Sequence, residues 1–196
     1  MWNQRYSQPD YAFGTKPNDF LVEVIEHIPK GRVLCLAEGE GRNAVYLAQQ
    51  GCRITAVDAS PVGLTKAQKL AAEGGVEIET ITADLADYEI QPDTWDAIVS
   101  IFCHLPATLR TQVHRQAVAG LRPGGAFVLE AYRPRQLELK TGGPPTADLM
   151  MKLTLLHQEL DGLVFKHAVE KERDIQEGQF HQGHSAVVQV LALKEA

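Results

Sequence analysis

Nowhere does the sequence hold the roughly 18 to 20 consecutive apolar residues that a bilayer-crossing helix needs. It also lacks a block of positive charge. Lys and Arg number 19 against 25 Asp and Glu, a formal net charge of -6. That balance excludes general nucleic-acid or anionic-membrane binding and favours a small or neutral partner. Cysteine is scarce: Cys35, Cys52 and Cys103 make no metal or redox spacing and leave one unpaired, so they are expected as small buried hydrophobes in a reducing compartment. The opening residues MWNQRYSQPDYAFG lack the apolar core of a signal peptide, so a cytoplasmic protein is expected. Repeats, low-complexity tracts and interdomain linkers are absent as well. What remains is ordinary globular composition, 44% hydrophobic and 22% charged over 196 residues, enough for one domain with a full core.

The chain is organised around Val33 to Gly51. A continuous apolar run, Val33 to Ala37, reads as a strand buried on both faces, and Ala44, Leu47 and Ala48 recur at helical spacing. Between them lie Gly39, Glu40 and Gly41. Glycine there tolerates positive φ and lets a ligand approach the main chain, with free N–H groups of the next helix facing it. Ahead of this unit, Trp2, Tyr6, Tyr11 and Phe13 form an aromatic leader that either covers a site or anchors the terminus, and Asn18 to Ile28 reads as a helix.

Further on, strands are predicted over Arg53 to Val57, Val76 to Thr82, Trp95 to Phe102 and Ala126 to Ala131. Helices come between: one opened by Ser60-Pro61 and stopped at Gly74-Gly75, another running from Pro106 through Leu109, Val113 and Ala117. This alternation predicts a parallel sheet with helices on both faces. The last third breaks it with a helix candidate, Leu149 to Leu160, and two alternating stretches, Leu163 to Ile175 and His184 to Leu193. The polar, glycine-bearing link between those two predicts an antiparallel pair.

In such a sheet ligands bind at the carboxyl ends of strands. Asp58, about twenty residues past the glycine loop, can accept two hydrogen bonds from a ribose diol. Asp84 ends the third strand and could receive an adenine amino group, with Leu85 beside the ring; each aspartate could instead be a turn or cap residue. Gly39-x-Gly41-x-x-Ala44 satisfies a loose dinucleotide fingerprint. Against that, Glu38 and Glu40 would oppose a pyrophosphate by about 1 to 4 kcal/mol each at about 4 Å. A cationic nucleoside, S-adenosylmethionine, reverses the sign, although Arg42 offsets part of the charge.

The order of VLCLAEGEGRN, VDAS, ADL, DAIVSIF and LRPGG resembles the class I S-adenosylmethionine-dependent methyltransferases. GRNAVYLA, WNQRY with YAFG, TGGP and EGQFHQG resemble the bacterial tellurite-resistance and thiopurine-methyltransferase-like group. The resemblance covers essentially the whole chain. It implies a Rossmann-like three-layer α/β sandwich: a mostly parallel seven-stranded sheet, its last strand antiparallel, with helices on both faces. Residues 1–30 would form the leader and first helix, 31–132 the cofactor core, and 133–196 the acceptor-side loop, helix and hairpin. The cofactor shell implied comprises Glu38, Gly39, Glu40, Gly41, Asn43, Asp58, Ala59, Asp84, Leu85 and Phe102, with Tyr11 from the leader. Where the family has an acid this chain has Cys35, and where it has a glycine, Ala37; Glu38 is the expected replacement for the acid. On the acceptor side stand Tyr132, Arg133, Gly143, Arg173 and His181, with His104 as a candidate base or a wall residue. No metal is expected, since His181 and His184 lack a third ligand. The implied acceptor is a small molecule, a thiol or a tellurite- or selenite-like oxyanion. Rival readings are a nicotinamide-dependent oxidoreductase and a non-catalytic sensor of the same ligand.

Overall fold

The computed structural model describes residues 2–195. Its strands are β1 (Arg32–Leu36), β2 (Arg53–Asp58), β3 (Glu79–Thr82), β4 (Trp95–Ile101), β5 (Leu121–Tyr132), β6 (Leu163–Glu177) and β7 (His181–Lys194). They form one seven-stranded sheet in the order β3-β2-β1-β4-β5-β7-β6. The pairs among β1 to β5 are parallel, whereas β7 runs antiparallel to both β5 and β6. The predicted closing hairpin is therefore present, with its second strand inserted between β5 and β6. Helices α1 (Trp2–Tyr6), α2 (Asp19–Glu23), α3 (Arg42–Gln49), α4 (Pro61–Glu73), α5 (Ala107–Gly120), α6 (Gln136–Leu139) and α7 (Leu153–Glu159) connect or cover the strands.

Strand alternation splits one sequence run between two cores. Val33 and Cys35 of β1 face Phe20 and Leu21 of α2, Ala44 and Leu47 of α3, and Leu64 of α4. Leu34 and Leu36 face the other way, into a core shared with Val113 and Ala117 of α5 and Leu156 of α7. Each fully buried Leu or Phe side chain in these layers contributes about 1.5–3 kcal/mol.

Some elements differ from their predicted extents. The helix expected over residues 18–28 ends at Glu23 and resumes as a 3-10 turn over Ile25–His27. Val22, Val24 and Ile25 are β-branched and poor helix formers, yet Val24 and Ile28 still bury against the sheet. The helix expected over residues 149–160 starts only at Leu153, because Met151 spends its N–H on the Tyr132 carbonyl at 3.0 Å. β5 begins five residues early, its register shift against β4 accommodated at Gly124, where φ is 80°.

A buried ion cluster fixes α7 to α5. Arg110 Nε donates to both oxygens of Glu159 at 3.1 and 3.0 Å, its Nη2 donates to Oε1 at 2.8 Å, and His114 Nδ1 lies 2.7 Å from Oε2. Burial alone would raise the Glu159 carboxyl, but hydrogen bonds and charge from His114 and Arg110 outweigh it and hold the group at about 2. A depressed carboxylate stabilises the fold above its unfolded pKa of about 4.3, and that contribution is lost as pH falls through the folded value. Glu159→Gln is expected to lower stability near pH 7 by about 3 kcal/mol, since it leaves Arg110 without a counter-charge. In chemical denaturation the gap between variant and wild type should close between about pH 4 and 2. An unchanged denaturation midpoint at neutral pH would contradict this account.

Candidate functional site

Strand order reverses between β1 and β4, and the crevice beyond their carboxyl ends is bounded by two backbone irregularities. Ala37, just after β1, has φ 49°, and Phe102, just after β4, has φ 52°. Left-handed backbone at two non-glycine residues costs of order 1–2 kcal/mol each and is characteristic of functional crevices.

The loop after Ala37 is built differently from its simplest reading. Glu38 turns inward: its Oε1 accepts the N–H groups of Asn43 at 3.0 Å and Ala44 at 2.9 Å, capping the start of α3. Burial pushes the Glu38 carboxyl up to about 7, with those N–H groups and Arg42 pulling the other way. Glu38 also reinforces the upward shift that burial gives the Cys35 thiol. The bare Cα of Gly39 (φ 65°) faces a side chain, since a Cβ there would stand 2.7 Å from the Tyr6 hydroxyl. Gly41 (φ 91°) lets the loop pack against Ala67 of α4, 2.6 Å from where its Cβ would be. Glu40, 4% exposed, accepts the Ala12 N–H at 2.7 Å and pairs with Lys66 at 2.5 Å.

Asp58 ends β2. Its Oδ2 accepts from Gly39 N at 2.8 Å and its Oδ1 from Ser60 N at 2.7 Å, so each oxygen keeps a lone pair for a further donor. Ala59 beside it is exposed. Asp84 is exposed at the end of β3, one oxygen capping Ala86 N at 2.9 Å, and Leu85 is buried in the core. For Asp84, then, the turn-capping alternative is realised with one oxygen, and the other has no such partner among the described residues.

The leader covers this ground, with different contacts from those expected. Tyr11 packs outside α4, its hydroxyl on the Lys66 carbonyl at 3.3 Å and its ring under the Lys66 ammonium. Tyr6 is the aromatic that enters the site. It is 5% exposed between Gly39 and Gly63, and burial, Asp58, Glu40 and Glu38 all push its hydroxyl pKa up. Tyr6 thus lies in the combined negative field of three carboxylates. The i, i+4 spacing of Trp2 and Tyr6 was the signal available for this placement: their rings stack at 5.7 Å on α1. Asn43 holds the leader instead of facing the crevice, accepting Asn18 N through Oδ1 at 2.9 Å.

At the ends of β4 and β5, Phe102, Tyr132 and His181 form an aromatic group with ring centroids 4.5 to 5.3 Å apart. Gly143 (φ 93°) lies against the Tyr132 ring, where a Cβ would come within 2.9 Å. His104 stacks on Tyr132, but both its nitrogens are taken: Nδ1 lies 3.0 Å from the Leu149 carbonyl, and Nε2 accepts Tyr132 N at 3.3 Å. Burial lowers its pKa to about 4, so the ring is neutral, donates from Nδ1 and holds the wall. Arg133 faces Glu170 and Glu172 of β6, and Arg173 grips Glu130 through Nε at 2.7 Å and Nη2 at 2.9 Å. Both guanidiniums are thus engaged by carboxylates, Arg133 at 3.3 and 3.9 Å with its Nε left without a hydrogen-bond partner among the described residues. Cys103 is pushed up to about 12 by burial and is inert as a nucleophile. Among the described residues no group of three or more His, Cys, Asp and Glu side chains could hold a metal, and no helix is long and apolar enough to cross a membrane.

Residues 33–125 match the family model described as a methyltransferase domain. The chain is 25% identical over 148 residues to the 2-heptyl-1-hydroxyquinolin-4(1H)-one methyltransferase of Mycobacteroides abscessus, covering 74% of this chain and 63% of that protein. It spans less than two thirds of the length of the curated relatives it matches. A structure from work on converting a disulfide bond into a thioacetal group during echinomycin biosynthesis superposes with TM-score 0.78 at 16% identity, over 98% of this chain and 88% of that one. TehB from Haemophilus influenzae superposes with TM-score 0.76 at 19% identity, over 91% and 62%. At these identities the structural likenesses establish the fold.

Two outcomes follow from the loop geometry. Glu38 binds its proton more tightly folded than unfolded, so its contribution is full below about pH 4.3 and lost as pH rises through about 7. Glu38→Gln keeps an acceptor for Asn43 and Ala44, so stability between pH 4.5 and 8 should fall less steeply than in wild type. Equal slopes in paired denaturation series would remove Glu38 as the source. Ala37→Gly relieves left-handed strain and should raise stability by about 0.5–1 kcal/mol after the entropy cost of glycine; a lower melting temperature would show that the methyl group packs productively.

Proposed function

We propose that the protein transfers the methyl group of S-adenosylmethionine to a small-molecule acceptor, a reading supported by the match of residues 33–125 to the methyltransferase-domain model. The observation that carries this reading is the charge around Tyr6. Asp58 sits against Gly39 N with a lone pair left on each oxygen, and with Glu40 and Glu38 it puts a negative field on the space that Tyr6 fills, which suits a cationic nucleoside and opposes a pyrophosphate. The first-turn N–H groups of Asn43 and Ala44, which a dinucleotide would need, are already bonded to Glu38. This disfavours the nicotinamide alternative.

In this assignment Asp58 accepts the ribose hydroxyls through its remaining lone pairs, the second oxygen of Asp84 and the side of Leu85 meet the adenine, and the cationic end lies toward the glycine loop. When bound, S-adenosylmethionine supplies an electrophilic methyl group on a sulfonium. The chain's task is alignment, because in-line displacement gains most from fixing its two partners. Tyr6 must leave the slot between Gly39 and Gly63, so the leader moves when ligand enters. The acceptor end, walled by Phe102 and Tyr132 with both nearby arginines paired to carboxylates, suits a neutral thiol or hydroxyl on an apolar body better than a tellurite- or selenite-like oxyanion. The hydroxyquinolone enzyme among its relatives acts on a molecule of that kind.

Calorimetry and thermal shift with S-adenosylmethionine, S-adenosylhomocysteine, NAD and NADP test the cofactor assignment; stabilisation by the nicotinamides alone would overturn it. Asp58→Ala should weaken S-adenosylhomocysteine binding by about 1.5–3 kcal/mol, the value of hydrogen bonds to a charged acceptor. Unchanged affinity would remove Asp58 from the site. Incubation with labelled methyl donor and a panel of aryl thiols, hydroxyquinolones, selenite and tellurite separates an enzyme from a sensor.

A further inference from the structure

His181 opens β7 directly across from Glu177, the last residue of β6, in the hairpin register. Its ring is enclosed by Phe13 at 4.5 Å, Phe102 at 4.5 Å and Tyr132 at 5.3 Å, beside the left-handed turn that ends β4. The residue is 9% exposed. Its Nδ1 is buried with no hydrogen-bond partner among the described residues, 3.9 Å from Glu177 Oε2, and the Tyr132 hydroxyl in the same group is also buried and unpartnered. A buried polar atom without a partner costs about 1–3 kcal/mol, so the Nδ1 held inside this aromatic enclosure needs a reason beyond packing.

We propose that His181 is the proton acceptor for the methyl acceptor molecule, and that Glu177 is the positioning residue that fixes its tautomer. The inference rests on the methyl-transfer reading. Glu177 is suited to the role because its charge cannot be lost near neutrality. Burial would raise its carboxyl, but His181, Arg42 and Arg173 hold it at about 2. Arg42 Nη2 donates to its Oε2 at 2.6 Å, and Asn18 and Arg173 donate to its Oε1 at 2.8 and 3.3 Å. A fixed anion opposite Nδ1 keeps the proton there and leaves Nε2 as the basic atom. The other charged or titratable groups facing the ring are Arg42 from α3, Arg5 from α1 and His104 after β4; with burial, which acts first, they keep the imidazole neutral and able to accept. His104 cannot fill this role in its present bonding, since main-chain groups occupy both of its nitrogens.

In the step, the acceptor's lone pair forms the bond to the methyl carbon, the pair of the broken C–S bond returns to sulfur, and the acceptor's proton passes to His181 Nε2 and then to water. A base helps only acceptors that arrive protonated. His181→Asn should therefore slow transfer to an alkyl thiol, protonated at assay pH, by about 100-fold or more, while transfer to a nitro-substituted aryl thiol, already anionic, changes less than about threefold. Undiminished transfer to the alkyl thiol, or equal loss with both thiols, would overturn the proposal. S-adenosylhomocysteine affinity should be unaltered in His181→Asn and in a second variant, His181→Gln, which together check the fold.

A readout independent of turnover is the nitrogen NMR spectrum of the histidines in the S-adenosylhomocysteine complex. His181 is expected neutral at pH 7.5 with its proton on Nδ1, and Glu177→Gln should shift population toward the Nε2–H form. A wild-type ring protonated on Nε2 overturns this inference even if no panel thiol is methylated. Failure to bind S-adenosylhomocysteine at all overturns instead the methyl-transfer reading on which it stands.

Discussion

Asn18 donates from one side-chain nitrogen to Glu130 at 2.6 Å and to Glu177 at 2.8 Å, and around that junction the working end of the molecule is assembled. Glu130 lies in β5 with no solvent exposure and receives Arg173 from β6 and Gln189 from β7. Glu177 receives Arg42 from α3. Two carboxylates are matched by two guanidiniums, and that balance lets ions survive burial whose desolvation would otherwise cost several kcal/mol apiece. The cluster joins the leader, the helix after the glycine loop and the last three strands. Where the leader leaves the sheet and how α3 is oriented are both set by these bonds.

The same economy of charge explains why the crevice is closed. Main-chain N–H groups, Lys66 and the leader use the loop carboxylates: Ala12 and Lys66 on Glu40, Gly39 and Ser60 on Asp58, Asn43 and Ala44 on Glu38. Tyr6 occupies the space between Gly39 and Gly63, while Arg5 is held between the rings of Trp2 and Phe180, joining the leader to the hairpin tip. A ligand entering there exchanges one set of partners for another.

The fold was legible because it rests on periodicity. Val33 to Ala37, Arg53 to Val57 and Trp95 to Phe102 are short apolar runs separated by helical spacing, and that pattern admits few arrangements other than a parallel sheet covered on both faces. Element limits were less legible where local preference and burial disagree, as at Val22, Val24 and Ile25. Asp58 and Asp84 were found at strand ends because chain order alone places them there. Glu130 was not singled out, although a charge inside the apolar run AFVLEA requires a buried counter-charge; the sequence does not say which of 19 basic residues supplies it.

By itself the sequence determined the layers, the strand directions and the edge of the sheet on which ligands bind, since these follow from hydrophobic spacing and turn residues read locally. Only the tertiary structure decided what each polar group faces. Glu38 caps α3, Gly41 makes room for Ala67, Tyr6 enters the slot where Tyr11 was expected, Arg173 is spent on Glu130, and main-chain groups hold both nitrogens of His104 while, among the described residues, none bonds His181 Nδ1. Those outcomes depend on which residues distant in the chain meet in a low-dielectric interior. There every donor must find an acceptor, and only the completed packing fixes the pairs.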